Sequence, residues 1–66
     1  MAAKAYATVK NGRGDPVRVC GIVDHAAGVV MVHVVNGPRL GGFRLSRFGG
    51  RLTPKTLAAV LSGGEG

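Results

Sequence analysis

The sequence predicts a small, mainly β fold: an antiparallel sheet or barrel of four to five strands with one short C-terminal helix. Three observations predict it. β-Branched content rises from Val17 and is high in 17–23 and 29–35, residues that favour turns cluster at 11–16, 24–28 and 36–38, and Thr53-Pro54 opens a short apolar-periodic run near the C-terminus. At 66 residues the chain is expected to form a single domain, 1–66, and a unit of this size buries only about 60% of the surface that its unfolded chain exposes. Tyr6, Phe43 and Phe48 are its only aromatic residues, so Val, Leu, Ile and Ala are expected to fill the core. So thin a core makes a homodimer or a larger oligomer an expectation as well.

The first strand is expected at about 4–10, where Tyr6, Thr8 and Lys10 alternate with Ala5, Ala7 and Val9. Its polar character marks an edge strand. Asn11 to Pro16 reads as a loop, with Asp15 expected to make an Asx-turn bond. Strand two follows at about 17–23, with Val17, Val19, Gly21 and Val23 on one face and Arg18, Cys20 and Ile22 on the other. Asp24 to Gly28 reads as a hairpin loop, begun by the Asp side chain and closed by a left-handed Gly. Strand three, about 29–35, is apolar on both faces, which suits a central strand or an interface between copies.

After the turn Asn36-Gly37-Pro38, residues 39–48 read as one or two bent strands, with Gly41-Gly42 and Gly49-Gly50 marking bulges or corners. The helix is expected at about 54–62. Thr53 supplies a hydroxyl cap, Pro54 suits the first helical position, and Leu57, Val60 and Leu61 share a face. A helix of two or three turns does not hold alone, so that face is expected to dock on the sheet or close a barrel end.

Through Gly14-Asp15-Pro16-Val17-Arg18-Val19, then Gly21, then Gly28-Val29-Val30, the chain resembles the opening of small SH3-like barrel modules of the KOW and Tudor kind. The resemblance covers about residues 14–35. It implies a module that binds RNA, DNA or protein tails without catalysis.

Nine Lys and Arg stand against Asp15, Asp24 and Glu65, a net charge of +6 and a pI near 10.9. Such an excess calls for an anionic partner, of which nucleic acid is the commonest. An acidic protein surface meets the same requirement, as it would for a small phage- or plasmid-borne regulator or inhibitor. Cys20 is the only cysteine and sits among apolar residues, which suits a reduced, cytoplasmic chain. The segment Met1 to Lys4 lacks the apolar stretch of a signal peptide, and 28–35 is too short to span a bilayer, so no membrane partner is expected.

Catalysis is not expected. Asp15 and Asp24 fall at turns and Glu65 in the tail, so no acid–base pair is visible. The spacing of Cys20, His25 and His33 matches no zinc pattern, and neither the dinucleotide fingerprint nor the phosphate-loop motif occurs. No metal and no cofactor is expected. Arg13-Gly14-Asp15 reads as a turn rather than an adhesion motif.

The candidate site is the basic segment Arg39 to Arg51, where Arg39, Arg44, Arg47 and Arg51 are interleaved with Phe43 and Phe48. Arginine pairs with phosphates through two donors and stacks on bases, and an exposed Phe43 would stack as well. Arg44 is expected to project away from the core, while Arg13, Arg18 and Lys55 extend the patch if the fold brings them to it. The leading expectation is a nucleic-acid-binding module contacting the phosphate backbone. A protein-interaction module and an oligomer-forming structural subunit are the alternatives.

Overall fold

The computed structural model describes residues 3–63. Expectations that fall on Met1, Ala2, Gly64 and Glu65 lie outside the described residues. In chain order the elements are β1 (Lys4–Lys10), β2 (Pro16–Asp24), β3 (Val29–Val34), β4 (Arg39–Arg44), a 3-10 turn (Leu45–Phe48) and α1 (Pro54–Leu61). The strands form one antiparallel sheet in the order β1-β2-β3-β4, with β1 and β4 at its edges. It is an open sheet with a helix on one side, not a closed barrel.

Register follows from the turns. In the first connection, the Asn11 side chain accepts hydrogen bonds from the backbone N–H of Arg13 at 2.8 Å and of Asp15 at 3.0 Å. The Asx bond expected of Asp15 therefore belongs to Asn11, which sits at the strand exit where its oxygen reaches forward into the loop. Asp24 does begin the second connection: its Oδ1 accepts from Ala26 N and Ala27 N, and Gly28 closes it at φ 67. In the third, Asn36 takes φ 59, a conformation that asparagine tolerates.

These turns fix Ala5 opposite Gly21, Ala7 opposite Val19 and Val9 opposite Val17. Val23 pairs with Val30 and Gly21 with Val32, and Val30 pairs with Phe43. Since side chains alternate along a strand, all of these lie on one face. Val19, Val30, Val32 and Leu57 are fully buried there, with Ala5, Ala7, Val23 and Phe48 around them. α1 packs on β1 and on the 3-10 turn. The contact is close at Gly21, where an added Cβ would stand 3.3 Å from both Leu57 Cδ1 and Val30 Cγ1 and 3.4 Å from Leu52 Cδ1.

Beyond Arg44 the chain departs from expectation. The strand anticipated over 39–48 ends at Arg44 and gives way to the 3-10 turn. Leu45 and Phe48 are three residues apart, so one turn brings both toward the core, where Phe48 meets Phe43 edge to face at 6.4 Å. Gly49 and Gly50, at φ 72 and 82, then stop the turn by adopting left-handed backbone. The first glycine pair does accompany a bulge, opposite Val32/His33.

Helix α1 starts as its sequence demands. Thr53 Oγ1 accepts from Thr56 N at 3.1 Å and Thr56 Oγ1 accepts from Thr53 N at 2.9 Å, a reciprocal capping box ahead of Pro54. Thr53→Ala is expected to lower stability by about 1 kcal/mol and Leu57→Ala by about 2–5 kcal/mol. Urea unfolding followed by circular dichroism checks both; near-equal losses would mean that Leu57 does not anchor the helix.

Candidate nucleic-acid interface

The same alternation that builds the core assigns every other residue to the opposite face, which α1 does not touch. Lys4, Tyr6, Thr8 and Lys10 of β1 lie there, in register with Ile22, Cys20, Arg18 and Pro16 of β2. Continuing across the sheet, Cys20 pairs with His33 and Ile22 with Met31. His33 in turn pairs with Arg39, Met31 with Gly42 and Val29 with Arg44. Two rows therefore run across all four strands: Tyr6, Cys20, His33, Arg39 and, beside it, Lys4, Ile22, Met31, Gly42.

The middle of this face is apolar and half-buried. Cys20 is only 2% exposed and free of any disulfide, while Ile22, Val29, Met31 and His33 are intermediate. The absence of a side chain at Gly42 leaves room for the Met31 sulfur, which lies 3.2 Å from where a Cβ would stand. Around this centre Lys4, Lys10, Arg18, Arg39 and Arg44 are all exposed. Asp24 begins this face at its far end, but its carboxylate is engaged by the hairpin amides.

Tyr6 is the aromatic of this surface. It is 41% exposed, against 3% for Phe48, and the Arg18 guanidinium lies over its ring at 5.5 Å from the centroid. An exposed cation–π pair of this kind contributes about 0.5–1 kcal/mol. Its larger effect is to hold two flat π surfaces together on the sheet.

Of the residues singled out in the sequence, Arg18, Arg39 and Arg44 lie on the open face, Arg18 on β2 and the other two at the ends of β4, and Arg44 projects away from the core. Phe43 lies on the other face, half-buried against the core. Arg47 caps it from the 3-10 turn, its guanidinium 5.6 Å from the ring centroid. Arg51 lines a cleft with His25, Leu45 and Leu52. Lys55 is exposed in the first turn of α1, and Arg13 is exposed in the β1–β2 loop. The basic segment is thus divided between two layers.

Lys4, Tyr6, Lys10 and His33 joined the site only through the fold. The alternation of β1 was visible in the sequence, but which of its faces matches the Arg18 face of β2 depends on register. Among the described residues, no group of three His, Cys, Asp or Glu side chains is placed to hold a metal ion. No helix among them is long and apolar enough to cross a membrane. No family model, curated protein or solved structure matches the chain.

The chain has one tyrosine and no tryptophan, so its intrinsic fluorescence reports on Tyr6 alone. In a positive local potential, iodide is expected to quench it more strongly than caesium, and the gap is expected to narrow as salt is added. Equal quenching by the two ions at low salt would contradict the basic surroundings of Tyr6.

Proposed function

We propose that this chain is a small nucleic-acid-binding module that holds the phosphate backbone against the open face of its sheet. The observation that carries the reading is that Lys4, Lys10, Arg18, Arg39 and Arg44 are all exposed on the one face of the sheet that also carries the exposed Tyr6. Arginine and lysine heads neutralise phosphates and release condensed counterions, which supplies most of the affinity in sequence-independent binding. Arg13, Arg47, Arg51 and Lys55 are off this face and in this reading add long-range attraction rather than contacts.

The finer resemblance in the proposal is to the strand order of SH3-like modules of the KOW and Tudor kind, here without closure of the sheet into a barrel. The consecutive antiparallel order of four short strands and the bulge in β4 support it. A cytoplasmic setting is part of the same reading, supported by the free, buried thiol of Cys20. The reading includes no catalytic step.

A second reading has an observation of its own. The half-buried Ile22, Val29 and Met31 at the centre of the face also suit an acidic protein surface carrying an apolar patch, as a small regulator or inhibitor would meet.

Salt-titrated binding to RNA, single-stranded DNA and duplex DNA separates the two. If all five cations of the face meet phosphates, log K is expected to fall with log salt at a slope of about −3.5 to −4.5. The double variant Arg18→Glu, Arg44→Glu is expected to weaken binding by well over tenfold, and Lys55→Glu by far less. No binding to any nucleic acid at low salt would overturn the reading and leave the protein partner.

A further inference from the structure

The open face carries more than charge, and its other features bear on which nucleic acid it takes. We infer that the ligand is single-stranded, with bases stacked on the Tyr6–Arg18 pair and over the Ile22–Met31 centre, and phosphates held by the surrounding cations. This inference rests on the proposed function and deepens it.

Geometry argues first. A duplex offers a face of phosphates whose bases are reached only through a groove, and grooves admit a helix or a protruding two-stranded ribbon. The open face here belongs to the body of a four-stranded sheet, with α1 on the other side. A sheet face of this width does not enter a groove. An extended single strand, in contrast, can lie across it with its bases turned to the protein.

The chemistry of the face argues next. Duplex binding through phosphates needs cations alone, and an exposed aromatic within such a contact has nothing to stack on. Tyr6 is 41% exposed, and Arg18 layers its guanidinium over the ring at 5.5 Å. Both are planar surfaces on which any base stacks. Next to them Ile22 and Met31 are paired across β2 and β3 and half-buried, an apolar floor that an unpaired base covers and a phosphate does not. Lys4 and Lys10 at the two ends of β1, with Arg39 and Arg44 across the sheet, frame this floor with charge. An apolar centre with an exposed aromatic beside it, flanked by cations, matches a polymer whose bases and phosphates are both accessible.

None of these side chains is committed elsewhere in the fold. The core cluster is formed without Tyr6, Arg18, Ile22 or Met31, so their substitution is expected to leave the sheet and helix intact. The two other aromatics are engaged with each other, Phe43 against Phe48. Tyr6 is therefore the ring available to stack.

The test uses the full chain with oligonucleotides of about ten nucleotides, within the range that small sheet-based modules bind. One set is single-stranded DNA and RNA of mixed sequence, and the other is a duplex of the same length. The wild type is expected to bind the single strands at least tenfold more tightly than the duplex at equal salt. Tyr6→Leu is expected to lose about tenfold on single strands, as removal of one stacking aromatic does, with little change on duplex. Tyr6→Phe is expected to retain single-strand affinity. Arg18→Lys keeps the charge and removes the plane, so it is expected to reduce the preference for single strands while leaving the salt slope unchanged. Circular dichroism and thermal melting of each variant exclude a folding defect.

Salt-dependent binding in which the duplex equals or exceeds the single strand, or in which Tyr6→Leu changes nothing, would overturn this inference and leave the basic-face reading standing. Absence of binding to every oligonucleotide would overturn both.

Discussion

Leu57 seated over Gly21 is the contact on which the rest of the structure depends. The helix is only Pro54–Leu61, too short to be stable in water without a surface to dock on. The sheet has one large apolar face, and a position without a side chain near its centre lets the helix approach closely. A Cβ at Gly21 would stand tight against Leu57, Leu52 and Val30. Leu57 is fully buried in consequence, and the Thr53–Thr56 capping box orients the helix for that contact. With so few large side chains, the domain cannot spare this layer.

That economy has a second consequence. One eight-residue helix and one 3-10 turn cover one side of a four-stranded sheet, and no element among the described residues packs on the other side. Along β1 and β2 the two-residue alternation sends Ala5, Ala7, Val9, Val17, Val19, Gly21 and Val23 toward the helix and Lys4, Tyr6, Lys10 and Arg18 away from it. Five like charges on one face repel one another, at a cost that salt screens over about 8–10 Å. A polyanion removes that cost and replaces it with attraction. Without a ligand the face presents five exposed cations around a half-buried apolar centre.

The first three strands were legible in the sequence from the period-two alternation of β1, the β-branched content of β2 and β3, and the turn residues that bound them. The helix was legible from its cap, its proline and the spacing of Leu57, Val60 and Leu61. What misled was 45–48, where arginine alternating with Leu45 and Phe48 looks like a strand continuing from Phe43. The three-residue spacing from Leu45 to Phe48 and the glycine pair after it are the signals of a single 3-10 turn. Half of the candidate site was legible in the same sense. Arg18, Arg39 and Arg44 stood out by type, and Arg44 by its opposition to Phe43. Arg47 and Arg51 follow Arg44 closely in sequence, but the turn carries them to the other layer. Tyr6, Lys4 and Lys10 could not be added before the register of β1 against β2 was known, because a shift of one residue exchanges the two faces.

The central claim is that recognition takes place on the open face and not along the arginine-rich segment as a whole. Nuclear magnetic resonance with an unlabelled single-stranded oligonucleotide tests it most directly, by following the Tyr6 ring, the Met31 methyl and the arginine Nε–H signals through a titration. Saturable shifts are expected at Tyr6, Met31, Arg18, Arg39 and Arg44, with the Leu57 methyls and the Arg47 and Arg51 Nε–H signals essentially still. Shifts concentrated at Arg47, Arg51 and α1, with Tyr6 and Met31 unmoved, would contradict it.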